Sequence, residues 1–146
     1  MAKKTSAIDL ATYPARLFPG LVFLNSGLGK RGLDEEGAKG LQDFAGVALP
    51  FVKKLEPTTF GKLLSTAEIV TGAALLTPFV PNVVAGTALA GFGAGFTAMY
   101  LRTPGLTEEG SVKPTQDGLP MAKDTWLLGT GLALMLSGAK AFAAKK

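Results

Sequence analysis

The sequence predicts an all-α protein, an integral membrane bundle of four transmembrane helices, and three observations carry that prediction. The 146 residues are 47% hydrophobic and have a positive mean hydropathy, a combination that soluble domains of this size seldom show. The apolar residues are gathered into four blocks rather than spread with a period of 2 or 3.6 along the whole chain. Charged, proline-bearing and glycine-bearing stretches separate the blocks, which is the layout of membrane spans and their connections.

The first span is expected over about residues 8–29, around Leu17, Phe18, Leu21, Val22, Phe23 and Leu24. Roughly 20 apolar residues cross the hydrocarbon core as a helix. Pro14 and Pro19 make this the least regular span, and Asp9 and Arg16 are unusual inside it. The second span covers residues 60–80, with the acid Glu68 near its middle and Pro78 and Pro81 closing it in a tight turn. Residues 82–101 form a third span without a charge, in which Gly86, Gly91, Gly93 and Gly95 stand among small and apolar residues. Such a run is a poor helix in water and a good one in lipid. The fourth span, residues 125–142, opens beside Trp126, the sole tryptophan, at the depth of an interfacial aromatic anchor. It closes near Lys140, which sits one turn from the end and can snorkel to the headgroups.

Four crossings leave two polar connections, residues 30–59 and 102–124, on a common side. In the first, Leu41, Phe44, Ala48, Phe51, Val52 and Leu55 recur at helical spacing opposite Gln42, Asp43, Lys53 and Lys54. That pattern predicts an amphipathic helix that lies along the bilayer surface or caps the bundle, made irregular by Pro50. The second connection mixes acids, bases, Pro and Gly and reads as a loop. Lys3, Lys4, Lys140, Lys145 and Lys146 flank spans with no acid among them, which places the termini in the cytoplasm of a multi-pass cell-membrane protein. The bases of the connections argue the other way, but they are mixed with acids.

The chain contains no Cys and no His, which closes thiol chemistry, iron–sulfur clusters, histidine-ligated haem, most catalytic zinc sites and imidazole acid–base catalysis. No cofactor held by this chain is expected, and an enzyme is the less expected reading. The formal charge of +4 sits at the termini and beside apolar blocks rather than in one basic stripe, so the expected partner is the lipid bilayer and not nucleic acid.

Arg16 and Glu68 are the sharpest candidate site. A charge inside a span costs about 2.5–3.5 kcal/mol on insertion scales and normally faces a partner or a wet cavity. With spans starting near Ile8 and Phe60, antiparallel helices bring the two to similar depth, and an ion pair between them is expected. It either locks the two helices together or floors a cavity in which Glu68 accepts a proton or hydrogen bond from a quinone or small polar ligand; the remaining reading is that Arg16 simply reaches the headgroups. Gly91 and Gly95 form a GxxxG motif, and Gly129, Ala133 and Ser137 a small-residue row on the fourth span. Both are expected at helix contacts, within the monomer or in a homo-oligomer or heteromeric assembly.

The run Arg16-Leu-Phe-Pro-Gly-Leu-Val-Phe-Leu-Asn-Ser-Gly27-Leu-Gly-Lys30, early in the first of four spans, resembles the opening of the DoxX family. Glu68 with Gly72, the small-residue third span, and Lys123 leading into an apolar fourth span that ends near Gly138 are similar to the same family. The resemblance covers most of the chain and implies a single DoxX-like domain over residues 1–146 in a prokaryotic cytoplasmic membrane. It further implies a non-catalytic accessory subunit or anchor of a larger, redox-linked or stress-response assembly. The long first connection and the Pro-rich second one depart from a minimal member of that family and are places for other membrane-protein subunits to bind. The alternative is a quinone- or small-solute-binding protein built on Arg16 and Glu68.

Overall fold

The computed structural model describes residues 10–144, and among these it contains five α-helices and no strand. Helix α1 runs Tyr13–Lys30, α2 Glu35–Gly46, α3 Pro57–Leu76, α4 Asn82–Arg102 and α5 Leu119–Ala143, with a 3-10 helix over Pro50–Lys54 between α2 and α3. Pro14 stands in the first turn of α1, where a missing N–H costs nothing and a fixed φ suits the helix. The helix therefore starts at Tyr13 and not at the expected Ile8, which lies with Asp9 outside the described residues. Lys3, Lys4, Lys145 and Lys146 lie outside them too. Two helices, α4 and α5, are long and apolar enough to cross a membrane.

The four long helices pack as two close antiparallel pairs, α1 with α3 and α4 with α5, while α3 and α4 touch sparsely. Glycine makes each pair close. A Cβ on Gly72 would stand 2.6 Å from the Leu24 amide nitrogen, and one on Gly27 would stand 2.8 Å from the Ser65 carbonyl oxygen. In the second pair a Cβ on Gly86 would stand 2.7 Å from the Gly131 carbonyl oxygen, and Gly93, Gly131 and Gly138 meet facing backbone in the same way. Such approach maximises van der Waals contact, which drives helix association where lipid supplies no hydrophobic gain. Ser65 Oγ adds a hydrogen bond of 2.7 Å to the Gly27 carbonyl.

This arrangement corrects the expected glycine contacts within the chain. Gly91, Gly95 and Gly129 have no atom of a neighbouring element within 4 Å of a Cβ position, and Ala133 is exposed. At about 100° per residue, Gly91 and Gly95 lie two positions either side of Gly93, on the far side of α4 from the α5 contact. Gly129 and Ala133 flank Gly131 in the same way. Of the expected row only Ser137 reaches a neighbour, accepting a hydrogen bond of 3.1 Å from Asn82 Nδ2.

Phe23, Leu75, Ala85, Leu89 and Leu134 form the buried core that joins the two pairs. Phe23 meets Phe92 edge-on at 4.8 Å between ring centroids, and Phe96 leans on both.

The first connection is two pieces rather than one amphipathic helix. Asp34 caps α2 by accepting from the Gly37 amide at 2.8 Å, with Glu35 and Glu36 in the first turn, where negative charge complements the helix dipole. Lys39 donates to Asp43 at 2.8 Å, and this hydrogen bond holds the Asp43 carboxyl below its ordinary value. Pro50, unable to continue the α-helix, opens the 3-10 helix, which folds back over α2. Gln42, expected on a polar face, is therefore buried, donating at 2.8 Å to the Val52 and Leu55 carbonyls, while Phe51, expected on the apolar face, is exposed.

In the second connection, α5 begins at Leu119, six residues before the expected span. The loop ahead of it is ordered by a bridge between Thr107 and Pro114 and by Gly105 and Gly110 at positive φ. Tyr100 and Arg102, at the end of α4, donate to the Val112 and Ala48 carbonyls at 2.7 and 2.9 Å and tie α4 to both connections.

Candidate functional site

Arg16 and Glu68 are both buried, as charges in apolar blocks should be, but they do not meet. Gly20 faces Leu76 and Gly27 faces Ile69, so facing positions in α1 and α3 sum to 96. Arg16 is then level with residue 80 and Glu68 with Leu28. Twelve residues separate positions 16 and 28, about 18 Å at 1.5 Å per residue. The expected ion pair assumed a first helix starting five residues earlier.

Arg16 instead completes the end of α3. Its Nε donates to the Leu75 carbonyl at 3.0 Å, Nη2 to Ala74 and Thr77 at 2.7 and 2.8 Å, and Nη1 to the Val80 carbonyl and Asn82 Oδ1 at 2.9 and 2.8 Å. All five guanidinium N–H groups are used. Tyr13, one turn back on α1, donates to the Leu76 carbonyl at 3.1 Å, and the Thr77 amide satisfies Ala73. Every orphan carbonyl of the last turn thus has a donor, including Ala74, whose ordinary donor four residues on would be Pro78. Asn82 extends the network by donating to Thr12 Oγ1 at 2.9 Å. With all its donors used, Arg16 has none to offer a ligand.

Glu68 pairs with Lys30, whose Nζ lies 3.0 Å from Oε2 and 2.5 Å from Ser26 Oγ. Lys30 belongs to the expected first connection, and its inward turn was missed because the end of α1 was placed before it. Ser26 and Lys30 are one helical turn apart, a spacing that offers the amine an anchor as it turns inward.

The pair opens on a cavity of about 560 Å³ between the two helix pairs, where α3 and α4 diverge. Phe60, Leu64, Phe92, Phe96, Met99 and Met121 give it apolar walls, and Leu41, Phe44, Ala45 and Leu49 close it from the α2 side. Glu68 is 4% exposed, and its one partner, Lys30, uses Oε2. The other carboxylate oxygen has no partner, and it is not sealed in protein, so it faces the cavity that Glu68 lines. Thr71, one turn along the same face of α3, is likewise buried, lines the cavity, and makes no hydrogen bond. The result is an apolar chamber with one polar corner: an acceptor oxygen, a hydroxyl and a lysine amine.

Trp126 is 74% exposed near the start of α5, and Lys140 is exposed in its last turn. Among the described residues no group of three or more His, Cys, Asp or Glu is placed to hold a metal ion. The chain matches no family model, no curated protein and no solved structure.

Proposed function

We propose that this chain is a multi-pass membrane protein whose cavity binds a neutral, lipid-soluble molecule with one hydrogen-bonding head, and that it holds this molecule without transforming it. The observation that carries this reading is the unpartnered oxygen of buried Glu68 facing an apolar chamber, because a buried polar group normally has its hydrogen bond. A hydroxyl can donate to that oxygen and accept from Lys30 or Thr71, while its apolar body lies against Phe92 and Phe96. A phenol or quinol has this form. Lys30 and Glu68 cancel in charge, so an ionic ligand would add an uncompensated charge to apolar walls. The chain has neither Cys nor His for redox ligation, which favours binding over chemistry.

In this reading α1, α3, α4 and α5 are all crossings. Phe18 and Val22 on α1, Leu63 and Val70 on α3, Val84 on α4 and Leu136 on α5 are exposed, whereas Arg16, Ser65, Glu68 and Thr71 are buried. Lipid supports that inversion and water opposes it. The reading includes the prokaryotic cytoplasmic membrane and the DoxX-like character implied by the Arg16–Lys30 run.

Mass spectrometry of lipophiles extracted from protein purified in mild detergent tests the reading. Wild type should carry a neutral hydroxylated lipophile near unit stoichiometry, and Glu68→Gln should lose it while keeping its helicity. Equal recovery from both proteins, or phospholipid alone, contradicts it. A role as a subunit of a larger membrane assembly has separate support from Gly129 and Ala133, exposed on α5 with open space at Gly129 where a helix of another chain can approach. A stoichiometric protein companion in the same preparation supports that role, and a chain that always purifies alone argues against it.

A further inference from the structure

We propose that Gly91 and Gly95 form a side entrance to the cavity, through which the ligand passes from the bilayer to Glu68. This rests on the cavity being a binding site, as proposed above. Both glycines line the chamber, and neither has a neighbouring element within 4 Å of its Cβ position. Their lack of side chains is therefore unused by packing inside the chain, unlike that of Gly86 and Gly93 on the opposite face of the same helix.

Position supplies the second line of support. Helices α3 and α4 form an antiparallel hairpin through residues 77–81, which sets Leu76 against Asn82 and so, eight residues further from the turn on each side, Glu68 against residue 90. Gly91 thus stands at the level of the unpartnered carboxylate oxygen. Of all the residues lining the cavity, Thr87 and Gly91 alone are exposed, and they lie one turn apart on α4. The chamber meets its surroundings there, between two helices that touch sparsely. A molecule dissolved in lipid reaches Glu68 by that path without crossing the polar connections. A Cβ at either glycine meets no protein atom within 4 Å, so leucine there would project its isobutyl group into the path.

The test is binding of tritiated 4-octylphenol to the full chain in phosphatidylcholine nanodiscs, with wild type, Gly91→Leu, Gly95→Leu and, as a control away from the cavity, Gly129→Leu. Both cavity variants should keep the wild-type melting midpoint and slow association at least tenfold, with dissociation slowed in parallel, while Gly129→Leu binds as wild type does. A wild-type association rate in either Gly91→Leu or Gly95→Leu overturns the entrance. If Gly91→Leu fails to fold, Gly91→Ala should still slow association; loss of fold there too contradicts the open space and overturns the proposal. Wild type that binds no phenol, or a Glu68→Gln protein that binds it fully, brings down the site itself. Loss of binding in Glu68→Gln with wild-type association rates in the leucine variants brings down the entrance alone.

Discussion

Arg16 and Glu68 are alike in sequence, each a charge inside an apolar block, and opposite in situation. Arg16 has every donor satisfied by the end of α3 and the turn after it. Glu68 keeps one oxygen free over the cavity. Arg16→Ala would leave the Ala74, Leu75, Thr77 and Val80 carbonyls without that donor, at about 1–3 kcal/mol for each one that water does not reach. Lysine restores the charge but not the planar five-donor fork, so Arg16→Lys should rescue only part of the loss. Thermal unfolding in detergent should show Arg16→Ala least stable, Arg16→Lys intermediate and wild type highest; equal midpoints would contradict the capping role. Burial of both charges was legible in the sequence, because a charge in an apolar block has few other options. Their pairing was not, because it depends on helix register, and a five-residue error in where α1 begins moves Arg16 by more than a turn. One signal was present: Pro78 cannot donate to the Ala74 carbonyl, so the end of α3 needed a donor from elsewhere.

Helix α4 has two small faces with different consequences. Gly86, Ala90 and Gly93 press against α5, while Gly91 and Gly95 face the cavity. Helix α5 divides in the same way, with Gly131 and Gly138 inside and Gly129 and Ala133 outside. Gly86→Leu forces a side chain onto the Gly131 backbone, an overpacking that costs about 1–3 kcal/mol or more. Gly129→Leu meets open space. Helical circular dichroism on heating should therefore show an early loss for Gly86→Leu and a wild-type curve for Gly129→Leu; the reverse order would contradict the assignment of faces. The sequence offered both rows at nearly the same spacing, and a helix this rich in glycine does not mark which row meets its neighbour. Gln42 was illegible for a related reason. The helical spacing sets it opposite the apolar row, but the reversal at Pro50 lays the 3-10 helix over α2 and buries it. The four apolar blocks, by contrast, were legible as helices because their composition is continuous; α4 begins at the expected residue and α5 six residues early.

The whole molecule consists of two glycine-tight helix pairs that share a core at one end and separate at the other, leaving the cavity beneath α2. Under the proposed reading, in which α1, α3, α4 and α5 all cross, Gly37, in the first connection, and Ala144, after α5, lie on opposite sides of the bilayer. The chain has no native cysteine, so a single cysteine at either position reports its side cleanly to an impermeant thiol reagent in intact cells. Gly37→Cys should be labelled from outside and Ala144→Cys only after lysis; labelling of both from one side would contradict four crossings. We propose that Glu68 is the polar end of a binding site. The measurement that tests this most directly is the carboxyl 13C resonance of Glu68, assigned by its absence in Glu68→Gln, as 4-octylphenol is added to the protein in nanodiscs. A saturable shift at unit stoichiometry is expected, and a resonance that stays fixed while the phenol binds would contradict the claim.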